Sequence, residues 1–264
     1  MMHNIELPFP INTEQWIEDN SWLLKILQLS KERGFIGRST DLRSAIRHSL
    51  GYAVVIDYLF GMGIDFGLGT DLTKTTSLYP SVKPLSENEH YKCKIIDVGT
   101  GGGIPGIPVV CYLAREYVDI QATFLDASIK KTSFLEYVLG LNEGQSRYVT
   151  TRVSVINKRA ELCGREPSYR GSFQVAIARS LAKPATTVEL CSPLLQLGGY
   201  LVVSLDPHSI TPLLWPDKGL EKFGMIKIGE VNVDEYRYLA VTQALSCPDV
   251  YPRRIGVPSK KPVW

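Results

Sequence analysis

The stretch "IIDVGTGGGIPGIPVV", residues 95–110, restricts the fold more tightly than any other part of the chain. An apolar run ends near Asp97. Gly99, Gly101, Gly102 and Gly103 then supply backbone freedom, and Pro105 suits the first turn of a helix. A strand–turn–helix joint of this kind belongs to a parallel sheet, whose strands need crossover connections. The chain beyond it keeps the same rhythm. Strands are expected at "KCKIIDV", "IQATFLD" (120–126), "RYVTTRVSVIN" (147–157), "SFQVAIA" (172–178) and "GGYLVVSL" (198–205). Helices are expected from Pro105 to about Tyr117, over 128–140 and from about Pro184 to Gln196. "GMIKIGEVNV" (224–233) and "YRYLAVTQA" (236–244) read as a hairpin, which adds an antiparallel member to a mostly parallel sheet.

The segment before this alternation is of another kind. Trp16, Leu23, Leu24 and Leu27 share a helical face within 12–33, and Gly34 is placed to end that helix. A second helix is expected from about Thr40 to Leu59, followed by a Gly-, Ser-, Thr- and Pro-rich loop over 61–92. The division expected is therefore a helical extension and linker (1–92), a main domain (93–250) and a basic tail (251–264).

Composition narrows the chemistry. A net charge of +2 on 264 residues does not announce a nucleic-acid partner, so any basic patch must be local. The five cysteines (93, 111, 163, 191 and 247) form no CxxC pair, and the four histidines do not cluster near them. Reduced thiols and no metal site are the expectation, with a cytoplasmic location. "MMHNIELPFP" lacks the basic start and apolar core of a signal peptide. The apolar run 51–69 is broken by Asp57 and Asp65, so no membrane span is expected.

Ligands of open parallel sheets bind beyond the carboxyl ends of the strands, where this glycine turn lies. The turn lacks the Gly-Lys-Ser/Thr of a phosphate loop, and Ile104 stands where a dinucleotide fingerprint would end in glycine. Asp97 beside the turn would repel a pyrophosphate. It suits a cationic ligand with an amine and a sulfonium, which is S-adenosylmethionine (SAM). Asp126 ends the next strand, where a carboxylate can accept hydrogen bonds from ribose hydroxyls. Arg179, after the fourth strand, could hold a cofactor carboxylate or an RNA phosphate. Glu161 reads either as a helix-start charge or as part of the site. His48 is read as packing, and Trp16 and Trp22 as core. The tail "YPRRIGVPSKKPVW" carries Arg253, Arg254, Lys260 and Lys261 and no acid. It is either a solvated end or a proline-stiffened arm for an RNA backbone.

These motifs resemble a known family. "DVGTGGGIPGIP" is similar to the "DVGTGxGxPGIP" motif of the RsmG (formerly GidB) family, bacterial small-subunit rRNA guanine-N7 methyltransferases. "FLDASIKKTSFLEYV", "RAE" (159–161), "IARSLA" (177–182) and the tail extend the likeness over about 93–264, and "GFIG" and "IRHSL" (46–50) resemble a stretch of actinobacterial-type members. The "NLT" signature of other members is absent. The resemblance implies a Rossmann-like class I methyltransferase fold with a seven-stranded, mostly parallel sheet, using SAM; a monomer is expected. Its partner would be 16S rRNA or the small ribosomal subunit. It also implies cofactor contacts at Gly99 and Ile104 of the turn, at Ala160 and Glu161 beside the adenine, and at Arg179. Asp126 is similar to the ribose-binding acid of the wider class. A SAM enzyme acting on a small molecule or a protein, or a non-catalytic protein of the same fold, stays open.

Overall fold

A computed structural model of the chain describes residues 3–61, 92–116, 119–141 and 152–264. Most of the expected loop over 61–92, and the start of the strand expected at 147–157, lie outside the described residues.

Strands β2 (Lys92–Val98), β3 (Asp119–Asp126), β4 (Val153–Asn157), β5 (Phe173–Ala178) and β6 (Leu195–Ser204) run parallel. Strand β8 (Tyr236–Gln243) lies antiparallel to β6 and pairs with β7 (Met225–Val233) as a hairpin. The spatial order of these strands is β7-β8-β6-β5-β2-β3-β4. With helices on both faces, this is the Rossmann-like class I methyltransferase arrangement. The sheet also holds an eighth strand. β1 (His3–Leu7) joins the outer edge parallel to β7, with Ile5 beside Val231 and Leu7 beside Val233. The seven-stranded expectation is corrected by this N-terminal edge strand, whose alternating Ile5 and Leu7 pack against the core.

The expected single helix over 12–33 is two helices, α1 (Thr13–Asp19) and α2 (Ser21–Glu32). Asn20 makes the break. Its side-chain amide donates to the Trp16 carbonyl at 2.7 Å, an alternative to continuing the helix. α3 (Leu42–Gly61) begins where Asp41 accepts the Ser44 N–H at 2.6 Å, and it is buried along most of its length. Gly51 is what lets it lie flat on the sheet, because a Cβ there would enter the Tyr238 ring.

The sheet separates two apolar cores. One combines Ile95, Phe124 and Val202 with α1, α2, α3, α4 (Gly106–Glu116) and α5 (Ile129–Gly140). Residues of the N-terminal segment thus share one core with the sheet. The other core holds Ile96, Val98, Leu201 and Val203 under α7 (Pro184–Cys191) and α9 (Asp217–Glu221), the latter preceded by the short α8 (Thr211–Leu214), and Tyr251 and Trp264 pack against it. Among the described residues no helix is long and apolar enough to cross a membrane.

Candidate functional site

Strand register assembles the site. Val98 pairs with Leu125, and Asp97 with Ile177, so the first residues past β2 lie between the ends of β3 and β5. Asp126 pairs with Asn157, and Ala178 with Val203. The ligand edge therefore runs Asn157, Asp126, Gly99, Arg179, Ser204 across five neighbouring strands, about 4.8 Å apart each. The crossovers reverse direction between β2 and β5, the switch point where open α/β sheets bind ligands.

On the β3 side the polar groups are already bonded. The Gly99 and Thr100 N–H groups donate to the Leu125 carbonyl at 2.8 and 3.1 Å, which ties the turn to β3. Gly99, Gly101 and Gly103 all take positive φ, and at Gly101 (φ 59°) the nearest non-neighbour atom to a built Cβ is 3.7 Å away. That backbone is thus open to close approach. Ile104, next in the turn, packs partly buried against the first core. Asp126 accepts the Gly101 N–H at 3.0 Å through Oδ2 and the Ser128 N–H at 2.8 Å through Oδ1, with Lys131 Nζ at 3.7 Å. A carboxylate has about four acceptor sites, so two remain.

Asp97 lies one layer lower than the sequence implied. Its Oδ2 accepts the Gly106 N–H at 3.0 Å and so caps α4 rather than projecting into open space. It is 1% exposed, and Oδ1 is buried without a hydrogen-bond partner. Burial pushes this carboxyl up to about 7; the Thr100 hydroxyl and the Gly106 N–H oppose the rise, and the nearby Asp126 charge adds to it. The Thr100 hydroxyl is close enough to act electrostatically but lies outside bonding geometry, and it too has no partner.

The β5–β6 side is open. A cleft of about 420 Å³ is lined by Arg179, Leu181, Thr187, Ser204, Asp206 and, from α3, His48. Among the described residues the Arg179 side chain makes no hydrogen bond or ion pair. Ser180, next along, holds a positive φ of 50°, a region non-glycine residues seldom visit outside turns and functional sites.

The sequence profile of the family described as rRNA small subunit methyltransferase G (GidB) matches residues 70–205. Among similar proteins is ribosomal RNA small subunit methyltransferase G of Alkaliphilus oremlandii, 33% identical over 177 residues, covering 64% of this chain and 70% of that one. The protein of that name from Clostridium botulinum strain Alaska E43 is 33% identical over 193 residues, covering 69% and 75%. The chain belongs to the rRNA small subunit methyltransferase G family. Among solved structures, the antibiotic-resistance methyltransferase Kmr is similar at TM-score 0.45 and 17% identity, over 58% of this chain and 88% of that one.

In this member of the methyltransferase G family, Ala160 and Glu161 open α6 (Ala160–Cys163), just past the end of β4. The Glu161 carboxylate is committed inward. It accepts from Arg159 at 2.8 and 3.2 Å and from the Gly256 N–H at 3.0 Å. Burial alone would raise its pKa, but these hydrogen bonds outweigh it and hold the carboxylate below its usual range. The Glu161 side chain is therefore engaged within the fold.

Gly256 belongs to the tail, which is not a free arm. Arg253 donates to Glu189 through its backbone N–H and through Nε, both at 2.8 Å, and Glu189 is 0% exposed. Thr186 of α7 donates at 2.9 Å to the carbonyl of Pro258, within α10 (Val257–Lys260), and Trp264 packs edge-on to Phe223. Arg253 is therefore spent inside the fold. Arg254, Lys260 and Lys261 remain exposed. Sequence reasoning missed Glu189 as the partner of Arg253 and His48 as a cleft residue. Neither carries a local signal, because each meets its counterpart only through the fold.

Proposed function

We propose that this chain is a SAM-dependent methyltransferase that transfers a methyl group to N7 of a guanine in 16S rRNA of the small ribosomal subunit. The observation that carries the proposal is that the family match spans the glycine turn, Asp126, the Ala160–Glu161 segment and Arg179, which one edge of the sheet brings together. The residues fit such a cofactor. Gly101 leaves its backbone open, Asp126 keeps acceptor sites for ribose hydroxyls, and the buried Asp97 Oδ1 and Thr100 hydroxyl have no partner of their own. When bound, the cofactor supplies an intrinsically reactive methyl on a sulfonium.

The protein's part is chiefly orientation. Guanine N7 carries a lone pair, so no residue need deprotonate it. Holding reacting groups in line can lower a barrier by ~7–11 kcal/mol. Asp126 and the turn fix one side. Arg179, between turn and cleft, is the cation placed to hold a carboxylate or phosphate of the reacting pair. The A-form major groove of RNA is too deep and narrow to admit an enzyme, so the target is an unstacked guanine in a loop. The test is tritiated-methyl transfer to unmodified small subunits, followed by strand cleavage at 7-methylguanine. Label at a single guanine is expected. Label on another base, on protein, or nowhere despite bound SAM would replace this function with one of the alternatives.

A further inference from the structure

On the guanine-transfer reading above, we infer that His48 positions the target base: an open ring nitrogen in the β5–β6 cleft hydrogen-bonds the guanine and helps aim its N7. The cofactor side of the ligand edge is occupied by the turn, Asp126 and α6, which leaves the ground beyond Arg179 for the acceptor. His48 lines that ground.

Its ring is rigidly held. It stacks on Tyr236 at 5.0 Å and 24°, with Tyr238 at 5.6 Å and Tyr52 at 5.8 Å. The Tyr238 hydroxyl donates to the His48 carbonyl at 2.6 Å. The Tyr52 hydroxyl donates to the Ala178 carbonyl at 3.0 Å and accepts the Ser204 N–H at 2.9 Å. One aromatic cluster thus fixes the ring and the ends of both strands that frame the cleft, the preorganised support a binding group needs.

Among the described residues the ring nitrogens make no hydrogen bond, and they are not sealed off from the cleft. Nitrogens left open on a rigidly held ring at a cleft wall can bond a ligand without first breaking a bond within the protein. The charge state agrees. Burial, and then the neighbouring Arg179 charge, lower the His48 pKa to about 3. A neutral imidazole offers one donor and one acceptor. It also adds no further cation beside Arg179, a sulfonium and a product purine that becomes cationic.

The experiment compares His48→Phe, which keeps an aromatic ring among the tyrosines, with His48→Asn and His48→Gln, which return an amide near each nitrogen. Methyl transfer to unmodified small subunits is read as kcat and KM, SAM affinity by calorimetry, and stability by denaturant midpoint. His48→Phe should lower kcat by roughly five- to tenfold, the worth of one neutral hydrogen bond, with SAM affinity and midpoint unchanged. At least one amide variant should recover part of the loss. Full turnover in His48→Phe, a loss matched by weaker SAM binding or a lower midpoint, or no recovery by either amide overturns the inference. If the wild-type protein binds SAM but transfers nothing to small subunits, the guanine-transfer function itself fails, and the inference with it.

Discussion

The two sides of the switch point are built on opposite plans. On the β3 side, Asp126 already accepts two backbone N–H groups and the turn is tied to Leu125. On the β5–β6 side, the Arg179 side chain and the His48 ring nitrogens make no hydrogen bond or ion pair among the described residues. A site that self-bonds keeps its shape before a ligand arrives. A site that leaves polar groups open in a cleft gains most of its hydrogen bonds from the ligand. On the proposed function, the contrast would give the constant ligand, the cofactor, the first side and the RNA base the second.

The largest test removes what braces both sides. The tail donates Gly256 N–H to Glu161 next to the cofactor side and packs on α7 beside the cleft. Deleting 251–264 should therefore unfold or strongly destabilise the protein. The Glu189 carboxylate alone, left buried without Arg253, accounts for about 3–5 kcal/mol. Arg253→Ala is the milder form of the test, read by thermal unfolding. A truncated protein with the native midpoint would show the tail to be an appendage after all.

Asp97 gives the next effect, through pH. Its carboxyl titrates near 7 in the fold against an ordinary value of 3.8, so the native state holds a proton that the unfolded chain has released. Stability should then fall as pH rises from about 4 to about 7, by up to ~1.4 kcal/mol per unit, and level off above. Asp97→Asn keeps an oxygen for the Gly106 N–H and removes the titration. Urea unfolding of both proteins across that range should show curves that diverge with rising pH. Parallel curves would mean that Asp97 is ionised throughout and that its buried oxygen has a partner.

The contrast also marks how far the sequence could be read. The β2–turn–α4–β3 unit was legible because its signals are local: an apolar run, glycines, Pro105 and an acid at the next strand end. The alternation and the hairpin were legible for the same reason. The cleft was not. Tyr52 meets Ala178 across 126 residues, and no periodicity announces such a meeting. His48 reads as a helical packing residue, which it also is. β1 was missed because five residues with two apolar positions are too short a pattern. The break at Asn20 was missed because the apolar spacing continues across it. The tail's basic composition suggested an arm, although its Tyr251 and Trp264 were apolar anchors in plain view.

A paired measurement sharpens the division between the two sides. Asp126→Ala removes charge-assisted hydrogen bonds, typically ~1.5–3 kcal/mol each, so SAM affinity should fall at least tenfold. Arg179→Ala should lower turnover by roughly 10- to 100-fold on the same scale, and lower SAM affinity less. Calorimetric titration and single-turnover methyl transfer check the two. If Arg179→Ala loses SAM affinity as fully as Asp126→Ala, the cation belongs to the cofactor, and the boundary between the sides moves past β5.

The smallest expected effect comes from the exposed cations of the tail. Arg253 is paired internally, which leaves Arg254, Lys260 and Lys261 facing solvent; the tail packs on α7, which begins five residues after Arg179 of the cleft. Cations in that position can neutralise RNA phosphates flanking a base in the cleft. They cannot select the base, because phosphate contacts carry no sequence information. On single-stranded RNA each neutralised phosphate contributes about −0.7 to the slope of log affinity against log salt. Replacing all three cations by glutamine should flatten that slope by up to ~2 and weaken binding modestly at moderate salt, with SAM affinity and the site of methylation unchanged. Filter binding across a salt series reads the slope. An unchanged slope would place the RNA path elsewhere along the ligand edge. A shifted methylation site would mean that these cations help choose the base, a role proposed above for the cleft.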